Sequence, residues 1–225
     1  MNIYKKIRKQ KKEGALWVLI FSSLFSVSLL IFRMTYTSRI TFIFLGWNLF
    51  LAWLPFIISF VYSLYDKTFK SKIMLFFTVI VWLPLFPNAP YIITDLFHLW
   101  QKPGMPLWFD LILLLSFAWN GLVLGFFSLI ILQRIIKRRF GNFISWSFAI
   151  VAIFTGSFGI YIGRYLRWNS WDIISNPLAL ARDMLDIIIH PFSNAAVYGM
   201  TIFFSCFFIL GYLTVKYLNI PNRHI

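Results

Sequence analysis

Six long apolar segments fill this chain, and they leave it few ways to fold. They cover residues 15–32, 40–64, 73–93, 108–132, 143–163 and 195–217, with Lys, Arg, Asp and Glu kept to their ends and to the stretches between them. Each is close to the roughly 20 residues that cross the hydrocarbon core of a bilayer as a helix. A water-soluble alternative would have to bury six helices on every side, which is exceptional in a domain of this size. Charged residues make up only 12% of the chain, against roughly 25% in soluble domains. The reading is an all-α integral membrane protein with about six transmembrane helices. A single membrane domain spans 15–218, between a basic tail at 1–14 and a short tail at 219–225. Pro55 predicts a bend in the second helix, because it removes a backbone donor and crowds the preceding turn.

Lys5, Lys6, Arg8, Lys9, Lys11 and Lys12 precede the first segment, as the basic region of a secretory signal would. The apolar stretch is longer than the roughly 7–15 residues of a signal and runs into Ile31-Phe32-Arg33-Met34 without an Ala-x-Ala cleavage pattern. It reads as an uncleaved first span.

The net charge of +14 is distributed as a topology signal. With the N-terminus inside, fifteen Lys and Arg fall on the inner side: the six in the tail, Lys67, Lys70, Lys72, Arg134, Lys137, Arg138, Arg139, Lys216 and Arg223. Six fall outside: Arg33, Arg39, Lys102, Arg164, Arg167 and Arg182. The positive-inside rule then puts both termini in the cytoplasm of a multi-pass cell-membrane protein. The basic tail lies against anionic lipid, so nucleic acid is not an expected partner. The acids sort the other way. Glu13 and Asp66 fall inside, whereas Asp95, Asp110, Asp172, Asp183 and Asp186 fall outside together with His98 and His190. Because acids contribute little to topology, this clustering marks the outer face as the working face. Cys206 is the only cysteine; it reads as a small buried apolar residue, with no intrachain disulfide and no thiolate cluster.

Two polar strings interrupt the apolar sequence. The first is Pro87-Asn88-Ala89-Pro90-Tyr91-Ile92-Ile93-Thr94-Asp95-Leu96-Phe97-His98. Pro84, Pro87 and Pro90 prevent a regular helix there, and backbone groups freed at membrane depth must be buried or line a wet cavity; Asn88 can satisfy some of them. A helix resuming at Tyr91 would align Tyr91, Asp95 and His98 in one polar stripe. Asp95 and His98 then have three readings: acid–base catalysis, metal ligation, or capping and pairing at a helix start.

The second string is Gly163-Arg164-Tyr165-Leu166-Arg167-Trp168-Asn169-Ser170-Trp171-Asp172. Gly156, Gly159 and Gly163 precede or open it on one helix face, where small residues let helices approach closely. Arg164 and Arg167 suit bidentate capture of an anion; the alternative is two arginines snorkelling beside anchoring tryptophans. Asn88, Tyr91, Asn169 and Asp172 complete the candidate ligand-binding set. Asn176-Pro177 starts a short helix expected to lie flat on the outer surface, with Asp183, Asp186 and His190 on its polar side; these three could join Asp95 and His98 around a metal. Gly121 and Gly125 form a close-packing pair, and Asn120 fits an interhelical hydrogen bond. The absence of ionisable groups mid-segment argues against a proton-driven pump. No cofactor or oligomer signature is legible.

The pattern Asn-Ala-Pro-Tyr-x-x-x-Asp-x-x-His, followed after another span by Gly-Arg-x-x-Arg-Trp-Asn-Ser-Trp-Asp, resembles an uncharacterised family of bacterial multi-span membrane proteins, domain of unknown function 1361. The likeness covers the third to fifth segments. It implies architecture and location, not a catalytic role. Two functions fit the residues: a membrane-embedded enzyme acting on a lipid or anionic headgroup at the outer face, or a transporter or accessory protein that binds without catalysis.

Overall fold

A computed structural model describes residues 13–65 and 71–218. The basic tail, the Asp66–Lys70 stretch with Lys67, and the C-terminal tail with Arg223 lie outside the described residues. The regular structure among those described is helical, with no strand. The helices are α1 (Glu13–Thr37), α2 (Phe44–Tyr65), α3 (Lys72–Leu85), a single turn α4 (Asn88–Tyr91) leading into a 3-10 helix (Ile92–His98), α5 (Leu107–Arg164), the turn α6 (Asp172–Ser175), α7 (Pro177–Ile189) and α8 (Ala195–Leu218). Five helical stretches are long and apolar enough to cross a membrane: α1, α2, α3 with its extension to His98, α5 and α8. Their outer surfaces carry exposed Phe21, Phe25, Phe76, Phe77, Phe203 and Leu210, a covering that water would not tolerate but lipid accepts. This is a multi-pass membrane protein.

The 58 residues of α5 would extend roughly 87 Å if straight, nearly three times the hydrocarbon thickness. They are not straight. Gly141 leaves the helical region at φ 88° and ψ 178°, a backbone conformation open to glycine. Beyond it the second arm folds back beside the first, for Gly121 and Gly125 of one arm and Gly156, Gly159 and Gly163 of the other all face the same short segment, 86–92.

That segment is the axis of the bundle. Its Phe86 belongs to an apolar core formed with the second arm and α8, around Trp82, Ile153, Ile160 and Phe208. Its Ala89 and Ile92 belong to another, formed by α1, α2 and the first arm around Leu45, Phe56, Leu113 and Phe117. Contact is close enough to require glycine. A Cβ on Gly159 would sit 2.9 Å from Pro87, one on Gly156 3.0 Å from Phe86, and one on Gly121 would collide with the Ala89 carbonyl oxygen.

Buried polar groups tie the helices together. The Asn120 amide donates to Ser22 O (3.1 Å) and Ser26 Oγ (2.8 Å), joining the first arm of α5 to α1 as the sequence suggested. The Ser128 hydroxyl donates to Pro55 O (2.8 Å) and accepts from Trp82 Nε1 (2.6 Å), linking three helices at the proline inside α2. Arg33 departs from its sequence assignment to a loop. Helix α1 continues past Phe32, and Arg33 is buried inside it, 1% exposed, in a two-pronged pair with Asp110 at 2.6 and 3.0 Å. Lys102 lies nearby over the Phe42 ring, 3.6 Å from its centre; burial, then the adjacent Arg33 charge, pulls its ammonium below the usual lysine range. Cys206 is also corrected: it faces outward from α8 rather than into a core.

Two predictions follow from this packing. Arg33→Met leaves a buried carboxylate without its partner and should cost about 3–5 kcal/mol, whereas the Arg33→Met/Asp110→Leu double variant should recover most of that loss. Thermal midpoints of the purified variants measure both. Gly121→Ala should prevent accumulation of folded protein, while Gly199→Ala, with open space around its Cβ position, should leave the midpoint within a degree or two.

Candidate functional site

The two polar strings meet at one end of the bundle, here called the site end. Helix α3 carries Pro84 within its last turn and stops at Leu85. The irregular turn that follows is held by the Asn88 side chain, whose Nδ2 donates to Leu85 O (2.9 Å) and to Ser170 Oγ (2.9 Å). The second bond joins residues 82 positions apart. From Ile92 to His98 the backbone is a 3-10 helix, with three residues per turn. The α-helical stripe expected of Tyr91, Asp95 and His98 is therefore not formed.

Arg164 is the hub of this region. Its guanidinium donates to Asp95 Oδ1 (3.3 Å), to the Thr94 carbonyl and to the Tyr91 hydroxyl (3.4 Å). It also lies 5.6 Å from the centre of the Phe97 ring. Asn48 of α2 donates to the other carboxylate oxygen of Asp95 (2.8 Å). Asp95 is 0% exposed and Arg164 14%, so the pair is largely withdrawn from solvent and each charge depends on the other. The His98 ring faces Phe44 and Trp100 and makes no hydrogen bond with Asp95.

Beyond Arg164 the chain turns through Arg167, which takes a left-handed φ of 61°. This lets Trp168 N donate to Ile162 O (3.3 Å). The Arg167 side chain is exposed. Asp172 shapes the same loop: it accepts from Asn169 N (2.7 Å) and Ser175 Oγ (3.0 Å). The Asn169 backbone N–H holds its carboxyl below the usual carboxylate range.

Between these parts lies a cavity of about 510 Å³. Leu51, Ile80, Leu83, Phe158 and Ile162 form its apolar wall; Asn48, Asn88, Tyr91, Asn169 and Ser170 supply its polar groups; Trp47, Trp168 and Trp171 stand at the site end. Among the described residues that line it, none is charged. It extends along the second arm of α5 from Gly163 to Thr155, roughly 12 Å at the rise of a helix. Exposed Ile80 and Thr155 open it toward the apolar flank. Leu180 and Met184 of α7 form part of its lining. Helix α7 is fixed to the loop by Trp168 Nε1, which donates to Asp183 Oδ2 (2.8 Å).

Of the residues the sequence singled out, Asn88, Tyr91 and Asn169 line the cavity, and Asp95 and Arg164 brace it from behind. Arg167 is exposed, Asp172 is engaged in its turn, and His98 packs among aromatic rings. Asp183 is taken by Trp168, while Asp186 and His190 form an exposed pair 3.0 Å apart on α7; among the described residues no three metal-ligating side chains cluster. The sequence reading missed Asn48. Its signal was available, since it is the only asparagine in the second apolar segment.

The geometry spans α2 to the second arm of α5, and the same region carries a family signature. A family model described as a protein of unknown function (DUF1361) matches residues 47–210. The chain belongs to the DUF1361 family. The matched stretch contains every residue of the cavity. No curated protein matches the chain, and no solved structure does.

The bracing role of Arg164 separates it from Arg167. Arg164→Met should lower stability by about 3–5 kcal/mol by stranding Asp95 in a buried setting, and Asp95→Asn in the same chain should restore part of it. Arg167→Gly removes an exposed side chain from a left-handed position and should leave stability unchanged or slightly higher. Denaturation midpoints of the purified variants compare the two.

Proposed function

We propose that this DUF1361 protein is a lipid-binding protein of the cell membrane, taking an amphipathic molecule into the site-end cavity from the outer leaflet. The observation that carries this reading is the lining itself: an apolar wall open to an apolar flank, with uncharged hydrogen-bonding groups gathered at one end and the Thr155 hydroxyl at the other donating to its own helix. Such a division matches a lipid chain and its headgroup. The reading includes six crossings, because the two arms of α5 on either side of Gly141 would each span the bilayer, with both termini cytoplasmic. The distribution of described charge supports it. Lys72, Arg134, Lys137, Arg138, Arg139 and Lys216 lie toward one end, while five acids and the Trp-rimmed cavity lie at the other.

Helix α7 fits an interfacial position. Leu180, Met184 and Ile187 turn inward, whereas Leu178, Leu185 and Ile188 remain exposed and suited to the headgroup boundary. In this reading Asp95 is a positioning residue for Arg164 and Asn48 rather than a catalyst, since both its carboxylate oxygens already accept hydrogen bonds. His98 supports the aromatic packing around it.

A photoreactive diacyl lipid tests the proposal. It should label Leu83 and Phe158 in the wild-type protein, and Thr155→Trp, which fills the cavity from its exposed side, should abolish that labelling without lowering the thermal midpoint. Labelling no stronger there than at outward-facing Phe203 would remove the basis for a binding site.

A further inference from the structure

We propose that the headgroup taken by this cavity is a neutral, polyhydroxylated one: a sugar carried on an apolar chain. The inference rests on the lipid-binding reading above and deepens it. Its starting point is the orientation of two amides. Asn48 must present Nδ2 to the Asp95 carboxylate, because a carboxylate only accepts. Asn88 must present Nδ2 to the Leu85 carbonyl for the same reason. Both amides therefore leave their Oδ1 acceptors for the ligand. Tyr91 and Ser170 act in the opposite sense. The Tyr91 oxygen accepts from Arg164 and the Ser170 oxygen accepts from Asn88, so each hydroxyl retains its proton to donate.

A ligand meeting these acceptors and donors together must both give and receive hydrogen bonds. Sugar hydroxyls do both. A phosphate offers only acceptor oxygens and would face the two amide oxygens, while Arg164 is already neutralised by Asp95. An ammonium can give to the amides but can accept nothing from Tyr91 and Ser170. The three indoles add a second, independent indication. Trp47 and Trp171 meet edge to face at 6.4 Å, and Trp168 is fixed by Asp183. Flat, amphipathic faces of this kind suit the C–H face of a sugar ring while its hydroxyls reach the polar groups around it.

The test uses the full chain in phosphatidylcholine nanodiscs, titrated with three probes of identical acyl chains: monoglucosyl-diacylglycerol, diacylglycerol and phosphatidic acid. Tryptophan fluorescence reports binding. The glucosyl lipid should bind about tenfold tighter than the other two, the size expected for two additional hydrogen bonds. Ser170→Ala, and separately Tyr91→Phe, each removing one hydroxyl donor, should lower glucosyl-lipid affinity toward that of diacylglycerol, with thermal midpoints near that of the wild type showing that the fold is kept. If diacylglycerol binds as tightly as the glucosyl lipid, the headgroup inference fails and the lipid-binding reading stands. Tightest binding of phosphatidic acid also overturns the sugar. If none of the three binds, both fall.

Discussion

The seating of residues 86–92 between the two arms of α5 is the contact on which the rest of the molecule depends. In a membrane there is no hydrophobic gain from bringing one apolar helix against another, so association relies on close van der Waals fit and buried hydrogen bonds. Glycines on both arms provide that fit. They receive Phe86, Pro87, Ala89 and Tyr91 at distances that leave no room for a side chain at Gly121 or Gly159. Because the segment is irregular, it has free backbone groups as well as bulk, and side chains such as Asn88 must satisfy them. The proline run therefore does two things: it ends helix α3 and obliges polar residues to gather where it ends.

Charge is used as structure at the site end. Arg33 with Asp110, and Arg164 with Asp95, each join elements distant in sequence, separated by 77 and 69 residues. Both pairs are largely or wholly buried, and each loses its balance if one partner is removed. Their consequence for the cavity is that charge lies behind the wall and neutral amides and hydroxyls lie in front. A site that reads as cationic in one dimension is uncharged in the space a ligand would occupy.

Much of the fold was legible because hydropathy is a property of local segments. The apolar segments, the irregularity at Pro84–Pro90, the close-packing glycines and the interhelical role of Asn120 are all readable from spacing. The candidate site was legible in part. Asn88, Tyr91 and Asn169 were singled out and do line the cavity. Asn48 was missed because a lone amide in an apolar segment carries no motif. Arg33 was misassigned because hydropathy ends a segment at a charge, whereas a charge with a buried partner can remain inside a helix.

The sequence by itself determined that this is a helical membrane protein with two polar strings at segment ends, since partition between water and lipid depends on composition over about 20 residues. Only the tertiary structure decided which groups meet. Asn88 reaches Ser170 and Asp95 reaches Arg164 because the glycine contacts fix how α3 and its extension lie against the second arm of α5. The same contacts decide which atom of each amide is left for a ligand. Those pairings depend on the separation and rotation of helices far apart along the chain, which no local pattern encodes.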